Sequence, residues 1–105
     1  MTAPVRGQVY RADIGVGPKP WLIISNNSRN RSLSTVLAAR ITTTSKGAEL
    51  QTWVQLSSAD PLVGYVVADD LMPIRKIRLQ SLLGTVAPAT ILAVNTALKL
   101  AQAIP

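Results

Sequence analysis

The hydrophobic and polar positions of this chain fall into short strand-like runs divided by turn residues, followed by one helical repeat. Arg6 to Ile14 alternates Gln8, Tyr10, Ala12 and Ile14 against Val9, Arg11 and Asp13, the period of two expected of a half-buried strand. Gly15-Val16-Gly17-Pro18 is a turn cluster. Trp21-Leu22-Ile23-Ile24 is continuously apolar and predicts a central strand buried on both sides. Asn26 to Ser34 is a polar loop with room for a short helical turn. Thr35 to Thr44, β-branched and apolar, predicts a third strand. After the turn Ser45-Lys46-Gly47, Leu50 to Leu56 sets Leu50, Thr52, Val54 and Leu56 on one face and Gln51, Trp53 and Gln55 on the other. Val63 to Asp69 predicts a fifth strand, 73–80 a second short helical turn, and Leu82 to Val86 a sixth strand.

Pro88 stands where a helix begins without losing a hydrogen bond, since the first N–H groups have no partner there. From Ala89 to Ala103 the apolar residues occupy two adjoining rows, leaving only Asn95, Lys99 and Gln102 as a polar stripe. So wide an apolar arc calls for cover from more than one side, and a second subunit is its natural source. The expected architecture is mainly β: five or six short antiparallel strands in a small twisted sheet or barrel closed by one C-terminal helix.

At 105 residues the chain fits one domain, residues 1–105. It contains no Cys and no His, which removes disulfides, thiolate chemistry and the commonest general base and metal ligand. Any catalysis runs on cationic side chains, hydroxyls, Tyr or the five carboxylates. The net charge is +6 and lopsided. Residues 1–46 carry Arg6, Arg11, Lys19, Arg29, Arg31, Arg40 and Lys46 against Asp13 alone, whereas the remainder is balanced. Such a basic face suits a polyanion or an acidic protein. The N-terminal MTAPVRG lacks an apolar signal-peptide core and no run is long enough to span a membrane, so a cytoplasmic protein is expected. The aromatics Tyr10, Trp21, Trp53 and Tyr65 are too few for a base-stacking platform.

Four pieces of the chain, in order, resemble the MazF/PemK/Kid family of toxin endoribonucleases. They are Arg6-Gly7-Gln8-Val9-Tyr10; a Gly-rich turn with Lys19-Pro20 and a strand ending Ser25-Asn26-Asn27; Ile41-Thr42-Thr43-Thr44-Ser45-Lys46-Gly47; and Ala68-Asp69-Asp70 followed by Gly84-Thr85-Val86-Ala87-Pro88. The resemblance implies a small SH3-like antiparallel β-barrel with a terminal helix, in a homodimer. It also implies metal-independent, cofactor-free, sequence-specific cleavage of single-stranded RNA, and inhibition by an acidic antitoxin. RNA can be cut by its own 2′-OH, which attacks phosphorus and leaves 2′,3′-cyclic phosphate and 5′-OH ends. The protein must then relieve a proton, deliver a proton and hold the phosphoryl charge.

The family's catalytic cation maps onto Lys19, where Arg is usual, and its catalytic hydroxyl onto Thr42. The hydroxyl of Thr42, or the backbone N–H groups around Thr42 and Thr43, can donate to a phosphoryl oxygen. A lysine is a point charge and lacks the planar fork of arginine. Arg40, two residues before Thr42 and so on its face of the strand, is a candidate to supply the missing guanidinium. Asp69 maps onto an acidic position near the RNA site in some relatives. Met72-Pro73 replaces a basic residue and a Ser or Thr, a change expected to disturb local strand pairing. Arg6, Arg29, Arg31 and Lys46 are candidates for phosphate contacts, and about four of these give a salt slope of roughly −3. Two other readings remain open: a non-catalytic RNA-binding barrel, and a gyrase-directed toxin of similar fold. The latter relies on a Trp-Gly-Ile tail, whereas this sequence reads Gln102-Ala103-Ile104-Pro105.

Overall fold

A computed structural model describes residues 3–105. The elements are β1 (Gln8–Asp13), β2 (Pro18–Ile23), α1 (Asn27–Ser32), β3 (Thr35–Thr42), β4 (Trp53–Gln55), β5 (Tyr65–Arg75), a 3₁₀ turn (Lys76–Arg78), β6 (Leu79–Thr85) and α2 (Pro88–Ala101). All strands join one antiparallel sheet in the order β4-β5-β3-β2-β1-β6. The outer strands β4 and β6 do not pair, so the expected barrel is an open sheet. Its two edges are tied instead by the loop between β4 and β5. There, Asp60 accepts hydrogen bonds from the Ala87 N–H and the Thr90 hydroxyl, each 2.7 Å. Ala87 has no side chain with which to cap α2, and the Asp60 carboxylate fills that role from across the fold.

Burial pushes the Asp60 carboxyl up. The N–H groups of Ser57 and Ala87 and the hydroxyls of Thr90 and Ser57 outweigh it and hold the group below its ordinary value.

The sheet buries both faces. Val9, Leu22, Ala39, Ile41 and Val66 pack with Val94, Ala97 and Leu98 of α2. On the other face Ala12, Trp21, Ile23, Val36, Ala38 and Ile74 form a second cluster. This two-sided burial explains why β2 reads as an unbroken apolar run. The outer arc of α2 stays open, with Leu92 66% and Leu100 50% exposed.

Two strands differ from expectation. Residues 45–53 spend their backbone groups on local turn bonds, Ala48 to Ser45, Leu50 to Gly47 and Trp53 to Leu50, so the expected strand from Leu50 shrinks to three residues. Trp53 is not free on a polar face. Its ring lies 6.1 Å from that of Tyr65 and so close to Gly47 that a Cβ there would sit 2.5 Å from the indole. Conversely, β5 runs on to Arg75, and Leu37 pairs with Pro73 without a break at Met72-Pro73. Strand β4 reaches only to Val67 on β5, so at Pro73 the second side of β5 has no neighbour that needs an N–H.

The Ser25-Asn26-Asn27 motif is a joint. Asn26 Oδ1 caps α1 by accepting the Arg29 N–H at 2.8 Å, and Asn27 Oδ1 accepts the Arg6 N–H at 2.8 Å. Asn30, fully buried, accepts the Ser25 hydroxyl and donates to the Ser25 carbonyl.

Candidate active site

A cleft of about 460 Å³ opens beside the β1–β2 turn, between the start of β2 and the end of β3. Lys19, Arg40, Thr42, Thr43 and Asp70 line it, with apolar walls from Ile14, Val16, Trp21, Leu62 and Met72. The strand register accounts for this convergence. Trp21 pairs with Arg40 across β2 and β3, and the same register carried two residues further sets Lys19 toward Thr42.

Each side chain is placed by its own local device. The β1–β2 turn is held by Asp13, whose carboxylate accepts the N–H groups of Gly15 at 2.8 Å and Gly17 at 3.1 Å. Both glycines have positive φ, +113° and +91°, which side-chain-bearing residues rarely adopt. The turn delivers Lys19, exposed at the start of β2. No hydrogen bond or ion pair ties its ammonium to another described residue. Thr42 ends β3, and its Oγ1 accepts the Thr44 N–H at 3.3 Å, which leaves its own proton free to donate. Gly64 presses on the Thr42 backbone, where a Cβ would lie 2.5 Å from the Thr42 carbonyl oxygen.

Asp70, rather than the Asp69 expected from the sequence, belongs to the cleft. Ala39 pairs with Leu71 but the next residue, Arg40, pairs with Val67, so residues 68–70 of β5 bulge out of the ladder. The bulge turns Asp70 toward Arg40, with Arg40 Nε 2.6 Å from Asp70 Oδ2. It turns Asp69 away, to accept the Thr52 hydroxyl outside the cleft. The adjacent acids in the sequence were the only available signal, and they do not disclose the bulge.

The other predicted RNA contacts are scattered. Arg6 is an internal brace, donating from Nε to the Ile24 carbonyl at 2.9 Å and from Nη2 to Asn95 Oδ1 at 2.6 Å. Arg29 binds the carbonyl and hydroxyl of Thr35. Arg31 lines a second pocket of about 310 Å³ with Tyr10, Lys76 and Gln80. Lys46 is exposed in the loop after β3. Among the described residues no three or more Asp or Glu side chains gather as a metal site.

Known proteins resemble this chain in sequence and in fold. The pattern of the PemK-like, MazF-like toxins of type II toxin–antitoxin systems matches residues 5–101. The endoribonuclease MazF4 of Mycobacterium tuberculosis is 51% identical over 105 residues, all of this chain and 98% of its own length. A solved mycobacterial endoribonuclease in complex with its cognate antitoxin superposes with a TM-score of 0.94 at 51% identity, covering 98% of each chain. The fold extends to a MazE–MazF structure from Deinococcus radiodurans, with a TM-score of 0.86 at 19% identity over the full length of both chains. The chain belongs to the PemK-like, MazF-like family of type II toxins.

Proposed function

We propose that this MazF-type toxin endoribonuclease cuts single-stranded RNA in the Lys19–Thr42 cleft, without a metal ion and with the RNA's own 2′-OH as nucleophile. The 2′-oxygen bonds to phosphorus as the 5′-oxygen leaves, giving a 2′,3′-cyclic phosphate on one product and a 5′-OH on the other. The 2′-OH gives up a proton and the leaving oxygen takes one, so water is not consumed in this step. The observation that carries the reading is the meeting of a free cation and a hydroxyl with a free proton in one cleft. Lys19 holds the phosphoryl charge or moves a proton. Thr42 donates to a non-bridging oxygen as charge grows there.

The partner is an acidic antitoxin segment laid over the Lys19 cleft, supported by the antitoxin-bound mycobacterial relative. The exposed Leu92 and Leu100 of α2 are assigned to a homodimer contact, and the protein acts in the cytoplasm.

The test incubates purified protein with mixed RNA in EDTA and identifies the product ends. Cyclic phosphate and 5′-OH ends support the reading. Activity abolished by EDTA, or 5′-phosphate products, would remove it.

A further inference from the structure

The Arg40–Asp70 pair does not suit the role that sequence alone suggests for Arg40. A clamp on a phosphoryl oxygen needs uncompensated positive charge, but a carboxylate oxygen 2.6 Å from Nε offsets much of this guanidinium's charge. A neutral heterocycle has the opposite requirement: donors and acceptors fixed side by side. Among the described residues the Arg40 side chain has no hydrogen-bond partner but Asp70, so its Nη groups keep their N–H donors. Asp70 accepts this one bond and retains further lone pairs.

The surroundings agree with such an occupant. The cleft is far larger than a phosphate group needs, and Trp21, Met72, Ile14 and Val16 give it the apolar walls of a site for a flat ring. The pair is held in place by the β5 bulge on one side and by the pairing of Arg40 with the buried Trp21 on the other.

We propose that the Arg40–Asp70 pair reads the edge of a guanine next to the scissile phosphate and so determines where this toxin cuts. The inference rests on the RNA-cleavage reading above. Guanine alone places two neighbouring N–H groups, N1 and N2, beside a carbonyl oxygen. The carboxylate takes the two N–H groups and the guanidinium donates to O6. Uracil offers one N–H between two carbonyls, cytosine offers a single amino donor, and adenine has no carbonyl.

The experiment exposes a degenerate RNA pool to the parent protein, Arg40→Lys and Asp70→Asn, and sequences the cut ends. The parent is expected to show guanine at one position near the cut. Both variants are expected to lose that enrichment by about tenfold or more, the scale of one bidentate base contact. Because a variant can lose turnover, the same substitutions are also made in Thr42→Ala protein, and the base preference is read from the RNA it retains. Guanine enrichment that survives both substitutions in either format overturns the inference, as does a parent profile without guanine. So does a uniform loss of cutting across all sequences with the bound preference unchanged, which would return Arg40 to the phosphate. A parent that leaves the pool uncut removes the cleavage reading itself, a separate outcome from a parent that cuts while its variants keep its profile.

Discussion

Lys19 and Thr42 come from adjacent antiparallel strands and line one cleft, set there by a register in which Trp21 pairs with Arg40. Neither is part of the packed core: Lys19 is exposed and Thr42 half-buried at the end of β3. Removing either side chain is therefore expected to spare folding and lower RNA cleavage about a hundredfold or more, the usual scale for a proton-transfer group or oxyanion donor. Lys19→Ala and Thr42→Ala, compared by cleavage rate and by thermal melting, check this. A lost rate with an unchanged melting point is the expected pattern.

Lys19→Arg is expected to retain cleavage. It keeps the positive charge at the mouth of β2 and adds the fork suited to two phosphoryl oxygens. Its rate, measured beside that of Lys19→Gln, tests whether charge is the property in use. Equal losses in the two variants would show that it is not.

Gly64 packs the loop before β5 against the Thr42 backbone at the end of β3. Its φ is +143°, and a Cβ at this position would stand 2.5 Å from the Thr42 carbonyl oxygen, so an alanine has no place without moving β3. Gly64→Ala is expected to lower stability by about 1–3 kcal/mol, the cost of such backbone strain, and to slow cleavage as well. Denaturant unfolding and a single-turnover cleavage assay measure the two effects.

Arg6 lies in the half of the chain that holds the whole charge excess, yet it works inside the protein. Its bonds to the Ile24 carbonyl and to Asn95 of α2 join the end of β2 to the terminal helix. Arg6→Ala is expected to cost about 1.5–3 kcal/mol for a hydrogen bond to a charged group, and to leave the salt dependence of RNA binding unchanged. Lys46→Ala, by contrast, is expected to leave stability alone and to flatten the salt slope by about 0.7. Binding titrations across a range of salt concentrations distinguish the two.

Asp60 makes stability depend on pH at the acid end. Its carboxyl is held below the ordinary aspartate value, so the folded state binds its proton less readily than the unfolded chain. The stabilisation is complete above the unfolded value of about 3.9 and is lost as pH falls through the lower folded value. Acid titrations of the parent and Asp60→Asn, followed by circular dichroism, are expected to converge at low pH, with the parent more stable near neutrality.

The sequence discloses the elements because local rules decide them. Alternation gives β1, the apolar run gives the doubly buried β2, and Pro88 gives the start of α2. The Lys19–Thr42 pairing in one cleft follows once the motifs are matched, since antiparallel neighbours align the ends of β2 and β3. What local rules cannot disclose are the features set by distant contacts. The bulge at residues 68–70 exchanges the roles of Asp69 and Asp70, and nothing in the alternation of β5 marks it. The edges of the open sheet are tied by a carboxylate in one loop reaching the first turn of α2. Arg6 and Arg29 read as surface cations because a guanidinium bound to backbone carbonyls is written in the sequence like any other.

In the proposed reaction the RNA supplies its own nucleophile at this cleft. The most direct measurement is cleavage of an oligonucleotide carrying one 2′-deoxy sugar immediately before the bond that the protein cuts. The expected result is no cleavage at that bond, with the all-RNA strand of the same sequence cut under the same conditions in EDTA. Cleavage of the deoxy-substituted bond at the rate of the all-RNA strand would contradict the account.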